Sequence, residues 1–492
     1  MKNARAQAIS QGMHGKARSS QEREEDRISS KQEKKRNAVF PQSVDRERIS
    51  PPLGGREKHR INIITMGCSK NLVDSERLMR QLAAAGFETV HDARLDEAPV
   101  VVVNTCGFIH DARQESVDMI LQCVEAKNSG IIEHLFVTGC LSELYRKELE
   151  REVPEVDRYF GARNMEEIIR SLAGDYRYDL RNERIVSTPA HYAYLKIAEG
   201  CDRTCAFCSI PHIRGPHVST PLEDVVNEAR FLAGKGVREL LAISQDITCY
   251  GLDLYRKQML PELVARLCEI EGIDWLRLHY AYPNRFPMEI VEMMQRERKI
   301  CRYIDMPVQH VSDKVLKNMR RNITGKEIVS LIETIRSKVP DVALRTTLIV
   351  GHPGETDRDF AQLVDFVEQT RFDRLGVFTY SHEENTYAAR HYRDNVPAKV
   401  KQERAGHIMK IQQRISEESN RQKTGKTYTA IIDRQEGDYY VGRTEYDSPE
   451  VDMEVWIPRN RTRLDTGKFY RVKIYDATEF DLYGEVENSS KD

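Results

Sequence analysis

The chain has 492 residues, 40% of them hydrophobic and 31% charged, with a formal net charge of −2. That composition describes a globular protein of two to four domains, and no apolar run approaches the length of a membrane span, which sets a membrane role aside. Ten cysteines without a signal-peptide pattern read as reduced thiols of a cytoplasmic protein, several of them ligands or buried fillers.

Residues 1–60 hold 15 Lys and Arg against 8 Asp and Glu, a net of +7, with almost no apolar periodicity. Such a stretch buries too little surface to fold alone and reads as a disordered polar tail, either a solvated extension or one with affinity for RNA. Past Pro51-Pro52 and Gly54-Gly55 the pattern changes to Ile61-Asn62-Ile63-Ile64-Thr65-Met66, a buried-strand signal that ends in Gly67-Cys68. A helix follows over 74–82, and then an apolar strand from Ala98 to Asn104 ends in Thr105-Cys106-Gly107. A helix with Val117, Ile120, Leu121 and Val124 on one face leads to a strand over 134–138 that ends in Gly139-Cys140-Leu141. Three times a cysteine stands just after a strand and before a helix. Alternating strands and helices imply a doubly wound parallel sheet over 61–180, whose ligands bind beyond the carboxyl ends of the strands. Cys68, Cys106 and Cys140 are therefore expected to converge on one edge, as three thiolates of a four-iron cluster with one open iron. Cys123, on the apolar stripe of its helix, is expected in the core.

In the central region, 187–420, a strand over 194–198 delivers the loop Gly200-Cys201-Asp202-Arg203-Thr204-Cys205-Ala206-Phe207-Cys208. Three thiols this close in sequence can face one centre only if the loop wraps around it. A structural zinc site wants four ligands and no fourth Cys or His stands at suitable spacing, whereas three thiolates on a four-iron cluster leave one iron open to a reactant. The spacing, with an aromatic residue before the last cysteine, resembles the radical S-adenosylmethionine (SAM) superfamily. That resemblance implies that the Cys201/Cys205/Cys208 cluster binds SAM. Downstream, strands near 239–244, 275–280, 303–306, 343–350 and 375–380 alternate with helices, about six βα units in all, which predicts a partial parallel barrel with its site at the carboxyl ends of the strands. Gly351 and Gly354, together with Phe207, are the candidate SAM contacts, although Gly-x-x-Gly is more often only a turn. His279 and His310 read as structural histidines, and Cys249, Cys268 and Cys301 have no partner at ligand spacing.

After a charged helical stretch ending near Glu418, short alternating strands around 427–432, 439–443, 453–457 and 470–474 predict a small five-stranded all-β barrel of oligonucleotide-binding type over 421–489. Residues 421–492 hold 12 Lys and Arg against 15 Asp and Glu. A nucleic-acid grip should be basic, so this barrel suits a basic protein partner.

Two three-cysteine sites flanking one catalytic barrel, followed by a small barrel, resemble the radical SAM methylthiotransferases over about 61–489. Four segments carry the likeness: 66–76 (Met66-Gly67-Cys68-Ser69-Lys70-Asn71 at its start), Gly139-Cys140-Leu141-Ser142-Glu143, Gln245-Asp246-Ile247-Thr248-Cys249-Tyr250-Gly251 and Tyr303-Ile304-Asp305-Met306-Pro307-Val308-Gln309-His310. Within the family they look like the branch that modifies an aspartate of ribosomal protein S-twelve, rather than the branch that modifies an adenosine of tRNA. The resemblance implies two [4Fe-4S] clusters, one on Cys68, Cys106 and Cys140 and one on Cys201, Cys205 and Cys208. It also implies SAM as cofactor, a terminal TRAM domain, the small ribosomal subunit as partner, a flavodoxin- or ferredoxin-like electron donor, and a sulfur donor. In such enzymes a radical takes a hydrogen from the substrate carbon, which then accepts the methylthio group. Thr220 and His352 depart from the family pattern, where Arg and Phe are usual. A non-catalytic iron–sulfur scaffold is the remaining alternative.

Overall fold

The computed structural model describes residues 60–459 and 463–487, so all but the last residue of the 1–60 tail lies outside the described residues. The described chain forms two compact units, one of residues up to 67 with 81–178 and the other of 68–80 with 179 onward.

The first unit is built on five parallel strands, β1 (Arg60–Thr65), β2 (Glu88–His91), β3 (Val100–Thr105), β4 (His134–Gly139) and β5 (Arg158–Tyr159), in the order β2-β1-β3-β4-β5. β3 is wholly buried, as a Val-rich strand covered on both faces must be. The helix His110–Asn128 turns Val117, Ile120, Cys123 and Val124 onto the sheet, so Cys123 is core, and burial pushes its thiol up to about 12. β2 and β5 escape sequence reading for a physical reason. β2 is a half-exposed edge strand with no apolar run, and β5 has only two residues.

The second unit opens with a parallel sheet in the order β13-β12-β11-β10-β9-β6, formed by β6 (Tyr192–Lys196), β9 (Glu239–Ile243), β10 (Trp275–Leu278), β11 (Ile300–Asp305), β12 (Ala343–Val350) and β13 (Arg374–Thr379). A two-residue pair, β7 (Ala198–Glu199) with β8 (Val218–Ser219), lies beyond the end of β6. Because neighbours in the sheet follow one another in sequence through helical crossovers, the sheet curls into the expected partial barrel. Alternate strand residues such as Leu240, Leu276, Ile304, Leu344 and Leu348 face the helices, including Leu222–Gly234, Leu260–Cys268, Gly325–Lys338 and Asp357–Thr370. The last two helices start on capping boxes, Thr324 with Glu327 and Thr356 with Asp359, which satisfy otherwise orphaned N–H groups.

β14 (Thr427–Glu436), β15 (Tyr439–Thr444), β16 (Val455–Pro458), β17 (Phe469–Ala477) and β18 (Leu482–Val486) close into a barrel around Ala430, Ile432, Val455, Ile457, Val472 and Ile474. Between β15 and β16, residues 445–452 reach the inward-facing side chains of the parallel sheet. Glu450 accepts from the Tyr192 and Tyr194 hydroxyls of β6 at 2.8 and 3.2 Å. Ser448 meets His279 just past β10 at 3.1 Å, and Asp452 accepts from Tyr303 of β11 at 2.7 Å and pairs with Arg345 of β12 at 3.3 Å. Asp447 pairs with Arg374 of β13. Five of the six strands thus find polar partners in one short segment. The sixth, β9, supplies Glu239, which lies between Arg277 of β10 (2.9 Å) and Arg443 of β15 (2.5 Å), and Arg443 also pairs with Asp433 of β14 at 2.9 Å.

Candidate functional site

In the first unit the carboxyl ends of β3 and β4 run in register, with Thr105 opposite Gly139, so Cys106 and Cys140 follow from adjacent strand ends. Two glycines make the approach possible. A Cβ on Gly107 would stand 2.7 Å from Leu141 backbone atoms, and one on Gly139, at φ +99°, would stand 2.4 Å from the Thr105 carbonyl oxygen. The Ser116 hydroxyl fixes the loop from the other side, donating to the Cys106 carbonyl at 2.8 Å and accepting from its N–H at 3.0 Å. Gly107→Ala is therefore expected to force the two cysteines apart, costing roughly 1–3 kcal/mol in the stability of this unit and lowering the iron content of the reconstituted chain, which iron analysis beside the wild type measures. Cys68 follows β1, the strand beside β3, and leads into the helix Ser69–Ala84.

In the second unit the Cys201 loop departs from β7. Gly200 turns at φ +73°, where a Cβ would lie 2.0 Å from the Pro216 carbonyl oxygen, and the Cys201 N–H donates to the Gly215 carbonyl at 3.0 Å. The middle of the loop is pinned by Ala206, whose N–H donates to the Met319 carbonyl at 2.8 Å and whose carbonyl accepts from Ala388 at 2.7 Å. Phe207 packs beside Ala206 with Tyr380 and Ile349. All three cysteines are free, and as whole residues they are half-buried. Burial pushes the Cys201 thiol up to about 12 and raises Cys208 too, so these sulfurs act as thiolates where a metal replaces the proton.

The surroundings suit a cluster bound by thiolates. The Arg203 N–H points at Cys201 Sγ (3.4 Å), and Arg321 Nη1 stands 3.9 Å from Cys205 Sγ. Donors and cations of this kind stabilise negatively charged sulfur. Both guanidinium groups also lie over the ring of Tyr282, at 4.1 and 4.2 Å, and Asp246 holds Arg203 at 2.8 Å. Among the described residues no three His, Cys, Asp or Glu side chains gather closely enough for a single metal ion.

Next to the loop, Asp74 and Glu199 share Lys196 and Arg214, with Arg214–Asp74 at 2.6 Å and Lys196–Glu199 at 2.6 Å. Burial alone would raise the Asp74 carboxyl, but the two cations outweigh it and hold it below the usual carboxylate range. Spacing in sequence gives little warning of this group, since Asp74 and Arg214 come from stretches separate from the one that holds Lys196 and Glu199.

Gly351, at φ +76°, ends β12, and the space its Cβ would need is filled by Lys401 at 2.2 Å; a Cβ on Gly354 would lie 3.2 Å from Asn318. Their glycine identity is thus explained by contacts within the chain. His279 is satisfied by Ser448 and by Asp305 at 3.6 Å, and burial lowers its pKa. Burial pushes His310 down to about 3 and His352 to about 4. A neutral His352 edge-on to Tyr380 and Tyr392 occupies the position much as a phenyl ring would. Thr220 contributes backbone only, its N–H to Ile197 and its carbonyl to the Tyr250 hydroxyl. Cys249 Sγ meets Asp246 at 3.3 Å, Cys301 is buried, and Cys268 packs on the helix-facing core.

Residues 195–367 match the Radical SAM superfamily, residues 60–161 the uncharacterized protein family UPF0004, and residues 424–486 the TRAM domain. The chain is similar to the "Ribosomal protein uS12 methylthiotransferase RimO" of Cytophaga hutchinsonii, 52% identical over 88% of this chain and 99% of that one. The protein of the same name from Flavobacterium johnsoniae is 54% identical over 87% of this chain and 98% of its own length. Among solved structures, the radical SAM methyltransferase TsrM of Kitasatospora setae overlays with a TM-score of 0.49 at 12% identity, covering 68% of this chain and 74% of that one.

Proposed function

The chain belongs to the family of ribosomal protein uS12 methylthiotransferases, and from that membership we propose that it adds a methylthio group to the β-carbon of an aspartate of uS12, using SAM and two [4Fe-4S] clusters. The observation that carries the reading is the pair of thiol sites: a pinned three-cysteine loop beyond the radical SAM sheet, and Cys106 with Cys140 brought together by two obligatory glycines on the other sheet. Cys201, Cys205 and Cys208 would hold the SAM-binding cluster, and Cys68, Cys106 and Cys140 the other. When bound, these groups supply the radical that removes a hydrogen from the substrate carbon and the methylthio group that takes its place.

The chain's own residues bind, orient and shield. Arg203 and Arg321 offset the charge of the thiolates, Asp246 fixes Arg203 against Tyr282, and Phe207 closes the loop against Tyr380. Gly351 and Gly354 retain a SAM-facing assignment only through their position at the end of β12. His310 and His352 are buried and held neutral, and the chemistry calls for no general base at the attacked carbon. The proposed organisation is a cluster-bearing domain at 61–180, the radical SAM domain at 187–420 and the TRAM domain at 421–489, in a cytoplasmic enzyme served by a flavodoxin- or ferredoxin-like electron donor and a sulfur donor. No helix among the described residues is long and apolar enough to cross a membrane.

Mass spectrometry of ribosomal proteins and tRNA from cells with and without the gene tests the reading. A methylthio increment on an aspartate of uS12, lost in the deletion, is the expected result. An unchanged uS12 with a missing methylthioadenosine in tRNA would overturn the substrate assignment.

A further inference from the structure

Lys70 is the second residue of the helix Ser69–Ala84, and it is only 4% exposed. Its Nζ lies 3.2 Å from the centroid of the Tyr280 ring, and no carboxylate or hydrogen-bond acceptor among the described residues is paired with it. The other buried lysines of the same unit are differently placed: Lys196 sits on Asp74 and Glu199, and Lys401 on Asp394. A buried ammonium without an anion is costly, and a ring face repays only part of that cost.

The position is built. Tyr280 follows β10 at the carboxyl end of the sheet, the end at which parallel barrels bind substrate. Its backbone is held at φ +63°, a conformation that non-glycine residues seldom adopt, with its N–H on Asp305 Oδ2 at 3.1 Å and its carbonyl accepting from Ile247 at 3.2 Å. The ring packs in an apolar group with Tyr194, Leu241 and Ile243. Water competes poorly in such surroundings, so a carboxylate reaching the ammonium there gains a strong charge-assisted hydrogen bond.

We propose that Lys70 anchors the side-chain carboxylate of the substrate aspartate and is what restricts this enzyme to an acidic residue. The inference rests on the proposed protein substrate and adds the residue that recognises it. In aspartate the β-carbon is bonded directly to the carboxyl group, so a grip on the carboxylate fixes the reacting carbon while leaving its hydrogens uncovered. A tRNA adenosine offers no carboxylate. SAM does, and the test separates the two sources.

The test uses the full-length reconstituted holoenzyme and three probes: a synthetic peptide of the uS12 loop with its target aspartate, the same peptide with asparagine in that place, and SAM. The wild type is expected to bind the aspartate peptide roughly 10- to 100-fold more tightly than the asparagine peptide. Lys70→Met is expected to bind the two peptides alike with SAM affinity unchanged, and Lys70→Arg to keep part of the preference. A preference that survives intact in Lys70→Met, or a loss of SAM affinity in its place, overturns the assignment. Should Lys70→Met fail to load its clusters, Lys70→Arg decides alone, since a retained cation must retain some preference. A wild type that binds neither peptide removes the protein-substrate reading and this inference with it, which distinguishes that failure from an error about Lys70.

Discussion

Replacing Cys205 by alanine is expected to bring 5′-deoxyadenosine formation by the reduced, reconstituted enzyme down to the level of an enzyme-free control. The change removes one thiol and little else, because the loop is held by backbone contacts on either side of it, Cys201 to Gly215 and Ala206 to Met319 and Ala388. The lost sulfur leaves Arg321 without its neighbour at 3.9 Å, but that guanidinium keeps the Pro307 carbonyl at 2.6 Å. Chromatographic measurement of 5′-deoxyadenosine against time decides the matter, and SAM cleavage at the wild-type rate would refute the loop as the cluster site. Cys106→Ala in the same assay is expected to keep SAM cleavage and lose methylthio transfer. Transfer that persists would place the second thiol site elsewhere.

Glu239→Gln is expected to destabilise the second unit by about 3–5 kcal/mol, the usual cost of breaking a buried ion pair from one side. Glu239 is 0% exposed and serves two arginines at once, Arg277 at 2.9 Å and Arg443 at 2.5 Å. With Asp433 the four groups balance two positive charges against two negative ones; glutamine preserves the volume and leaves one cation uncompensated in an interior where a lone charge is poorly tolerated. Chemical denaturation followed by circular dichroism measures the loss. A change under about 1 kcal/mol would mean that water reaches the network and screens it, as at a surface pair.

The parts of this molecule legible in its sequence are those governed by local pattern. The Val100–Val103 run, the strand-then-cysteine repeats and the three-cysteine loop each carry their information within a few residues, and the alternation of strands and helices gives the parallel sheets and their chain order. The steric role of the two glycines beside Cys106 and Cys140 depends on neighbours some 34 residues away in the chain, as in the close approach of Gly107 to Leu141, so their spacing does not reveal it. Lys70 stood within a motif already singled out, yet nothing in the spacing tells a solvated lysine from one seated on a tyrosine ring beyond β10. The same holds for the acidic residues of 445–452, which read as surface charge in a barrel with a net negative balance. Each is instead committed to a tyrosine or arginine of a strand 70 to 260 positions earlier.

That commitment bears on how the chain is made. Synthesis runs from the amino terminus and domains generally fold as they emerge. All six strands of the radical SAM sheet have left the ribosome before Arg443 and residues 445–452 appear, so in that interval Glu239 and Arg277 have each other and Arg345 has Asp305, but all three, with Tyr303 and Arg374, lack the partners that this later stretch supplies. The sheet can assemble early by its helix-facing apolar side, but its interior is completed later, by a segment made after all six strands. Cluster insertion into a nascent chain that has not yet reached Arg443 would meet a half-built frame.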